Sequence, residues 1–250
     1  MSFDLTKALQ DWPFEPGQIN VRLIQGDDGT PKVQMRVDLG ILQMETEGRP
    51  DASRPMGFDS LLDYHETRLE EHLAEHGSED GFILDEEACR MLREESVQFY
   101  HRYISLLVIE DFEAVVRDCG HNLRVLDLCR DFAKDDEDRN ILEQFRPYLV
   151  MMRTRALASA AVAANEPKVA LYHIEDGLEQ MREVFEDAGA IEEFDQSHEA
   201  MVLRGMRDQL APKLPVSQKD ELRKRLQEAL RKENYELAAI LRDELRLLAE

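Results

Sequence analysis

The sequence is short of positive charge. Its 250 residues hold 31 Lys and Arg against 53 Asp and Glu, a formal net charge of -22 with histidines neutral. The sequence-independent part of nucleic-acid affinity comes from basic side chains that neutralise phosphates, so the long-range field here disfavours nucleic acid as a bulk partner. Cysteine is scarce too. Cys89, Cys119 and Cys129 are the full set, and no two stand at C-x-x-C spacing. That removes the usual zinc-knuckle and redox-pair patterns and suits a reduced cytoplasm. No uninterrupted apolar run reaches the roughly 18 residues that a bilayer span needs. The opening Met1-Ser2-Phe3-Asp4-Leu5-Thr6-Lys7 lacks a basic stretch followed by an apolar one, so neither a membrane nor a secretory signal is expected. What remains is a chain with 43% hydrophobic residues, enough for an ordinary core. At roughly 100–200 residues per domain, its length suits one or two domains and a short appendage.

The acidity is unevenly spread. Residues 1–58 carry 6 basic and 9 acidic side chains, residues 59–216 carry 17 and 36, and residues 217–250 carry 8 and 8. Three segments follow: a small β-sheet segment (1–58), an acidic helical body (59–211) and a terminal helical hairpin (217–250). In the first, Ile19, Val21 and Leu23 alternate with polar residues, as do Val33, Met35, Val37 and Leu39. This is strand periodicity. Gly26-Asp27-Asp28-Gly29 between the runs predicts a hairpin, Ile41 to Thr46 a third strand, and the Gly48-Arg49-Pro50 to Arg54-Pro55-Met56-Gly57 stretch a loop. Three strands cannot cover their own apolar face, so the following helices are the expected cover.

From Phe58 the period becomes helical. Leu61, Leu62, Leu69 and Leu73 predict a first helix, Asp85 to Arg117 a second and third, and Asn122 to Ala133 a fourth. Lys134 to Arg139 is a charge run without an apolar stripe and reads as a solvated connection or a frayed helix end. Tyr148 to Ala164 and Lys168 to Ala188 read as an antiparallel pair broken at Asn165-Glu166-Pro167. The mostly small residues from Ala156 to Ala164 would let two helix backbones approach closely. Ala114, Val116, Cys119 and Leu123 superpose on Val169, Leu171, Ile174 and Leu178, a weak self-similarity that looks like tetratricopeptide-type hairpins, although that family's period is about 34. An irregular helical bundle explains the same residues. The fold class is α+β and mostly α.

Beyond Pro212 and Pro215, Ser217 with Asp220 supplies a helix-capping signal. Leu222, Leu226 and Leu230 make one apolar stripe and Leu237, Leu241, Leu245 and Leu248 another, separated by a break at Glu233-Asn234. The tight reversal faces the stripes toward each other in an antiparallel hairpin. The run Asn234-Tyr235-Glu236-Leu237-Ala238-Ala239-Ile240-Leu241-Arg242-Asp243-Glu244-Leu245 closely resembles the second half of the UVR motif, the helical hairpin of UvrB, UvrC and McsA-type adaptors. Tyr235 stands where that family usually has phenylalanine. The resemblance covers residues 217–250. More loosely, Val37 to Met44 and the Gly-Arg-Pro loop resemble bacterial proteins that end in the same motif.

The resemblance implies a protein-binding role, since the family's hairpin pairs with a second UVR hairpin or another partner surface. A hairpin of this size has little core of its own and should dock on the parent chain, on a second copy of it, or on another protein. Tyr235, Leu237, Ala238, Leu241, Arg242 and Leu245 are the expected partner surface. The chain departs from the whole-length relatives: it has no G-x-x-x-x-G-K-[ST] loop and none of the C-x-x-C pairs of the adaptors.

His72-Leu73-Ala74-Glu75-His76 matches the inverted zinc-peptidase string and would place both imidazoles on one helical face. Such a site also needs a third ligand and a cleft, with His65 the nearest upstream candidate, and the surrounding residues read as a charged, solvated face with only Leu69 and Leu73 turned inward. His101, His121 and His173 fit a core or helix boundary, and Trp12 fits either a partner anchor or a pin for the amino-terminal segment. Arg223, Lys224, Arg225, Arg231 and Lys232 form a basic cluster that could meet DNA, an acidic partner or the acidic middle of the same chain. The expectation is a cytoplasmic, non-enzymatic adaptor without cofactor or metal. A repair accessory factor that touches DNA, or a zinc hydrolase on His72 and His76, are the alternatives.

Overall fold

The computed structural model describes residues 5–210 and, further along, Leu226, Gln227, Arg231 and Arg242, all four helical. The chain divides into two compact units, Met1–Arg207 and Asp208–Glu250. The first is mostly helical with one small sheet. After a short helix α1 (Thr6–Gln10) come β1 (Val21–Gln25), β2 (Pro31–Val37) and β3 (Gly40–Glu45), antiparallel in the order β1-β2-β3. Val21 faces Met35, Leu23 faces Val33 and Met44 faces Val33, so the alternating apolar residues share one side. The first turn closes where the Gly26 N–H donates to Thr30 O, with Gly29 at φ +81°, a conformation that strains any residue bearing a Cβ.

The other face of the sheet is polar and also covered. Lys32 pairs with Asp28 and Glu45, and Gln34 bridges Arg22 and Gln43. Trp12 lies there, 4.1 Å from the Arg22 guanidinium, its indole N–H donating to Asn20. It pins the amino-terminal segment to the sheet. The apolar face, with Val33, Met35 and Met44 buried, packs on Ile104 and Ile109, as a three-stranded sheet requires.

The helices are α2 (Leu61–His76), α3 (Glu86–Val108), α4 (Phe112–Phe132), α5 (Asp136–Asn140), α6 (Arg146–Ala163), α7 (Pro167–Asp187), α8 (Ile191–Phe194) and α9 (His198–Leu210). Ser60, Asp85 and Asp111 each accept an N–H from the first turn of α2, α3 and α4, the hydrogen bond that defines a good N-cap. Gly77, at φ +76°, ends α2 in the left-handed region.

Three expectations are corrected. The helices anticipated on either side of Gly120 are one, α4, because Val115, Cys119, Asn122, Leu126 and Cys129 form an unbroken buried ladder that outweighs the weak helix preference of one glycine. The break at Ile109 to Asp111, where Glu110 has φ +62°, falls inside Asp85 to Arg117, where two helices are expected. The charge run forms α5, because Asp138 turns inward onto Arg93. Leu73 is 44% exposed, so the inward face of α2 is Leu61, Leu62 and His65.

The backbone order α3, α4, α6, α7 is also the order of packing. Ala156, Ala158 and Ala161 of α6 and Ala170 and Gly177 of α7 are buried, and a Cβ on Gly177 would overlap the Thr154 side chain, 2.8 Å from its own Cβ. The small-residue stretch does bring two helices together. Cys89, Cys119 and Cys129 are free thiols inside the core, and burial pushes the Cys119 thiol far above its usual pKa.

Candidate functional site

The Gly-Arg-Pro loop leads from the sheet to the middle of the helical body, and a buried ionic cluster receives it there. Arg102 of α3 is fully buried and grips Asp118 of α4 with two parallel bonds, Nε to Oδ2 at 2.6 Å and Nη2 to Oδ1 at 2.8 Å. Its third nitrogen, Nη1, donates to Glu45 O at 3.1 Å and Gly48 O at 2.7 Å. Arg117 adds bonds to Asp118, Glu47 and Thr46 O. Beside it, the fully buried Glu95 accepts the Leu61 and Leu62 N–H groups at the start of α2, with Arg49 Nε 3.1 Å away. Burial opposes the ionisation of Glu95. The contact with His121 and those two N–H groups outweigh it and hold the carboxyl below its usual range. His121 stacks flat on Phe99 with centroids 3.5 Å apart, and the Arg102 guanidinium lies 4.7 Å from the same ring. All three Arg102 nitrogens are engaged by the protein itself, so this cluster is a clamp that fixes the sheet to α3 and α4.

One helical turn away, the same two helices open into a cleft of about 410 Å3. Its walls are Val97, Tyr100 and Tyr103 of α3, Leu126 of α4, and Phe145 and Tyr148 before and within α6. Burial raises the pKa of Tyr103 and Tyr148, so both phenols are neutral. Arg93 reaches the cleft already paired with Asp138. Asn122 is only 4% exposed. Its Nδ2 donates to Ser96 O at 3.0 Å, whereas its Oδ1 accepts nothing from the protein. Sequence reasoning missed this site. Arg93, Val97, Tyr100 and Tyr103 do recur at helical spacing, but that pattern is also what a core face looks like.

A second, polar groove borders α4, α6 and α7 and contains Arg124, Arg130 and Arg146. Each is engaged: Arg124 with Glu66, Arg130 with Asp131, Arg146 with Glu143. His72 and His76 do come together, with stacked rings 4.3 Å apart, but His72 Nε2 lies 3.0 Å from Asp80 O and His76 Nδ1 3.0 Å from His72 O. Among the described residues no group of three His, Cys, Asp or Glu side chains converges as metal ligands would. His65 is buried elsewhere, against Arg68, and burial with that neighbouring charge pushes its pKa down to about 4.

Of the expected partner surface, Arg242 is helical and exposed. Tyr235, Leu237, Ala238, Leu241 and Leu245 lie outside the described residues, as does the antiparallel hairpin geometry expected for 217–250. Among the described residues no helix is long and apolar enough to cross a membrane. Residues 217–250 match the family model described as UvrB/uvrC motif, a non-catalytic interaction motif. No curated protein and no solved structure matches the chain.

Proposed function

We propose that this protein is a non-enzymatic adaptor that recruits another protein through residues 217–250. The observation that carries the reading is the motif match over that segment, whose family points to protein–protein interaction or a repair-related role. The two leucine stripes supply the physical reason: about 34 residues bury too little apolar surface to be stable unaided, so their outer edges gain by covering one another's counterparts on a partner. Tyr235, Leu237, Ala238, Leu241 and Leu245 provide apolar contact, and Arg242 provides polar register. A partner that bears the same kind of hairpin, or a second copy of this chain, offers a matching stripe.

The test compares affinity capture by the full chain, by a chain ending at Pro215 and by the Leu241→Asp variant, followed by direct binding of each captured protein in purified form. A partner lost with both changes supports the adaptor role. Identical partners for all three proteins reject it. A second reading, an accessory factor in excision repair that touches DNA, is favoured by the basic cluster of Arg223, Lys224, Arg225, Arg231 and Lys232, of which Arg231 is exposed. It requires duplex binding that weakens steeply with salt, and fails if none is seen at low salt.

A further inference from the structure

The cleft between α3, α4 and the start of α6 is not explained by an adaptor role, and its described lining residues all belong to the first unit. Its volume of about 410 Å3 falls in the range of small-molecule sites and exceeds what side-chain packing ordinarily leaves empty. The walls are hydrocarbon and aromatic ring, with Tyr100 and Tyr103 set at 89° and 5.5 Å, so that an entering ring meets an edge and a face. The mouth stays open: Val97 is 53% and Phe145 51% exposed.

Charge narrows the occupant. Among the described residues the one cation at the cleft is Arg93, whose charge is already matched by Asp138 at Nη1, and the chain's net charge of -22 disfavours an anion. Among the described residues no Asp or Glu lines the wall to hold a cation. Among the described residues lining the cleft, Asn122 Oδ1 is the fully buried side-chain atom without a partner, an acceptor on a side chain more than nine-tenths buried. Native structures rarely leave such an atom unsatisfied. A ring that brings its own donor can satisfy it while its apolar body fills the cleft.

We infer that this cleft binds a neutral aromatic small molecule carrying one N–H or O–H donor, an indole or a phenol, with the ring between the tyrosines and the donor on Asn122 Oδ1. The same ring chemistry could also arrive as a tryptophan side chain of a protein, so the test separates the two sources.

The full-length protein is titrated with indole, with 1-methylindole and with N-acetyltryptophanamide by calorimetry and saturation-transfer NMR. Indole should bind saturably at one site and at least fivefold more tightly than 1-methylindole, which has the same shape without the donor. Val97→Trp, at an exposed position where folding is easily verified by circular dichroism and a melt, should plug the mouth and abolish binding. No saturable binding, equal affinity for the two indoles, or unchanged binding to a folded V97W protein would each overturn the assignment. N-acetyltryptophanamide binding several-fold more tightly than indole would also overturn it, by identifying a protein side chain as the occupant.

Discussion

Asp118→Ala removes the carboxylate that accepts from the buried Arg102 Nε and Nη2. Breaking a buried pair from one side leaves an uncompensated charge in a poorly polarisable interior, which typically costs about 3–5 kcal/mol. That is a large share of the roughly 5–15 kcal/mol that holds a domain folded. Arg102→Met acts differently: it leaves Asp118 with Arg117 as a remaining partner, but deprives Glu45 O and Gly48 O of their donor. Both carbonyls are only partly buried, so water takes over part of that role and each adds less than the roughly 1–3 kcal/mol of a fully buried group. The double variant R102M/D118L removes both charges together, so its loss should fall short of the sum of the single losses by more than about 2 kcal/mol. Urea unfolding followed by circular dichroism gives the three values, and hydrogen exchange gives the locality, since residues 45–50 should exchange faster in R102M while the α6 and α7 amides keep their protection. Additive single losses, or a D118A protein within about 1 kcal/mol of the parent, would show that the clamp contributes nothing of the kind.

Two further outcomes are expected. His65 is neutral in the folded protein down to about pH 4, whereas the unfolded chain protonates it near 6.5. The unfolded state therefore binds the extra proton between these values. Stability is complete above about 6.5 and falls by up to about 3 kcal/mol as pH drops toward 4. A His65→Asn protein should lose that part of the slope in urea titrations at successive pH values, and an unchanged slope would refute it. At the α6–α7 contact, Gly177→Ala drives a methyl group into Thr154 and should destabilise by about 1–3 kcal/mol, and Thr154→Ala in the same chain should restore most of it. If the second change instead adds to the first, the two helices do not meet at that point.

Local rules written in the sequence determined the elements. Alternation at Val33, Met35 and Val37 with glycines at 26 and 29 dictates a hairpin, because side chains on a strand change face at every residue and positive φ is cheap only for glycine. Leucine spacing after Leu61 and the break before Pro167 likewise dictate helices, and the run from Asn234 to Leu245 was legible as a motif because its identity lies in consecutive residues. Helices α8 and α9 went unread, although Ala200, Leu203 and Leu210 recur on α9 at helical spacing and are buried.

Only the tertiary structure decided which charges are buried. Arg102 and Asp118 stand 16 residues apart on separate helices, and in a chain where charged side chains abound nothing local marks these two as inward. The same holds for the cleft. Tyr100, Asn122 and Tyr148 come from three helices, and an atom such as Asn122 Oδ1 is unsatisfied only in relation to everything packed around it. Periodicity reports the direction in which a side chain leaves its own helix. What it meets there depends on how the helices cross, and that is settled by the whole core at once.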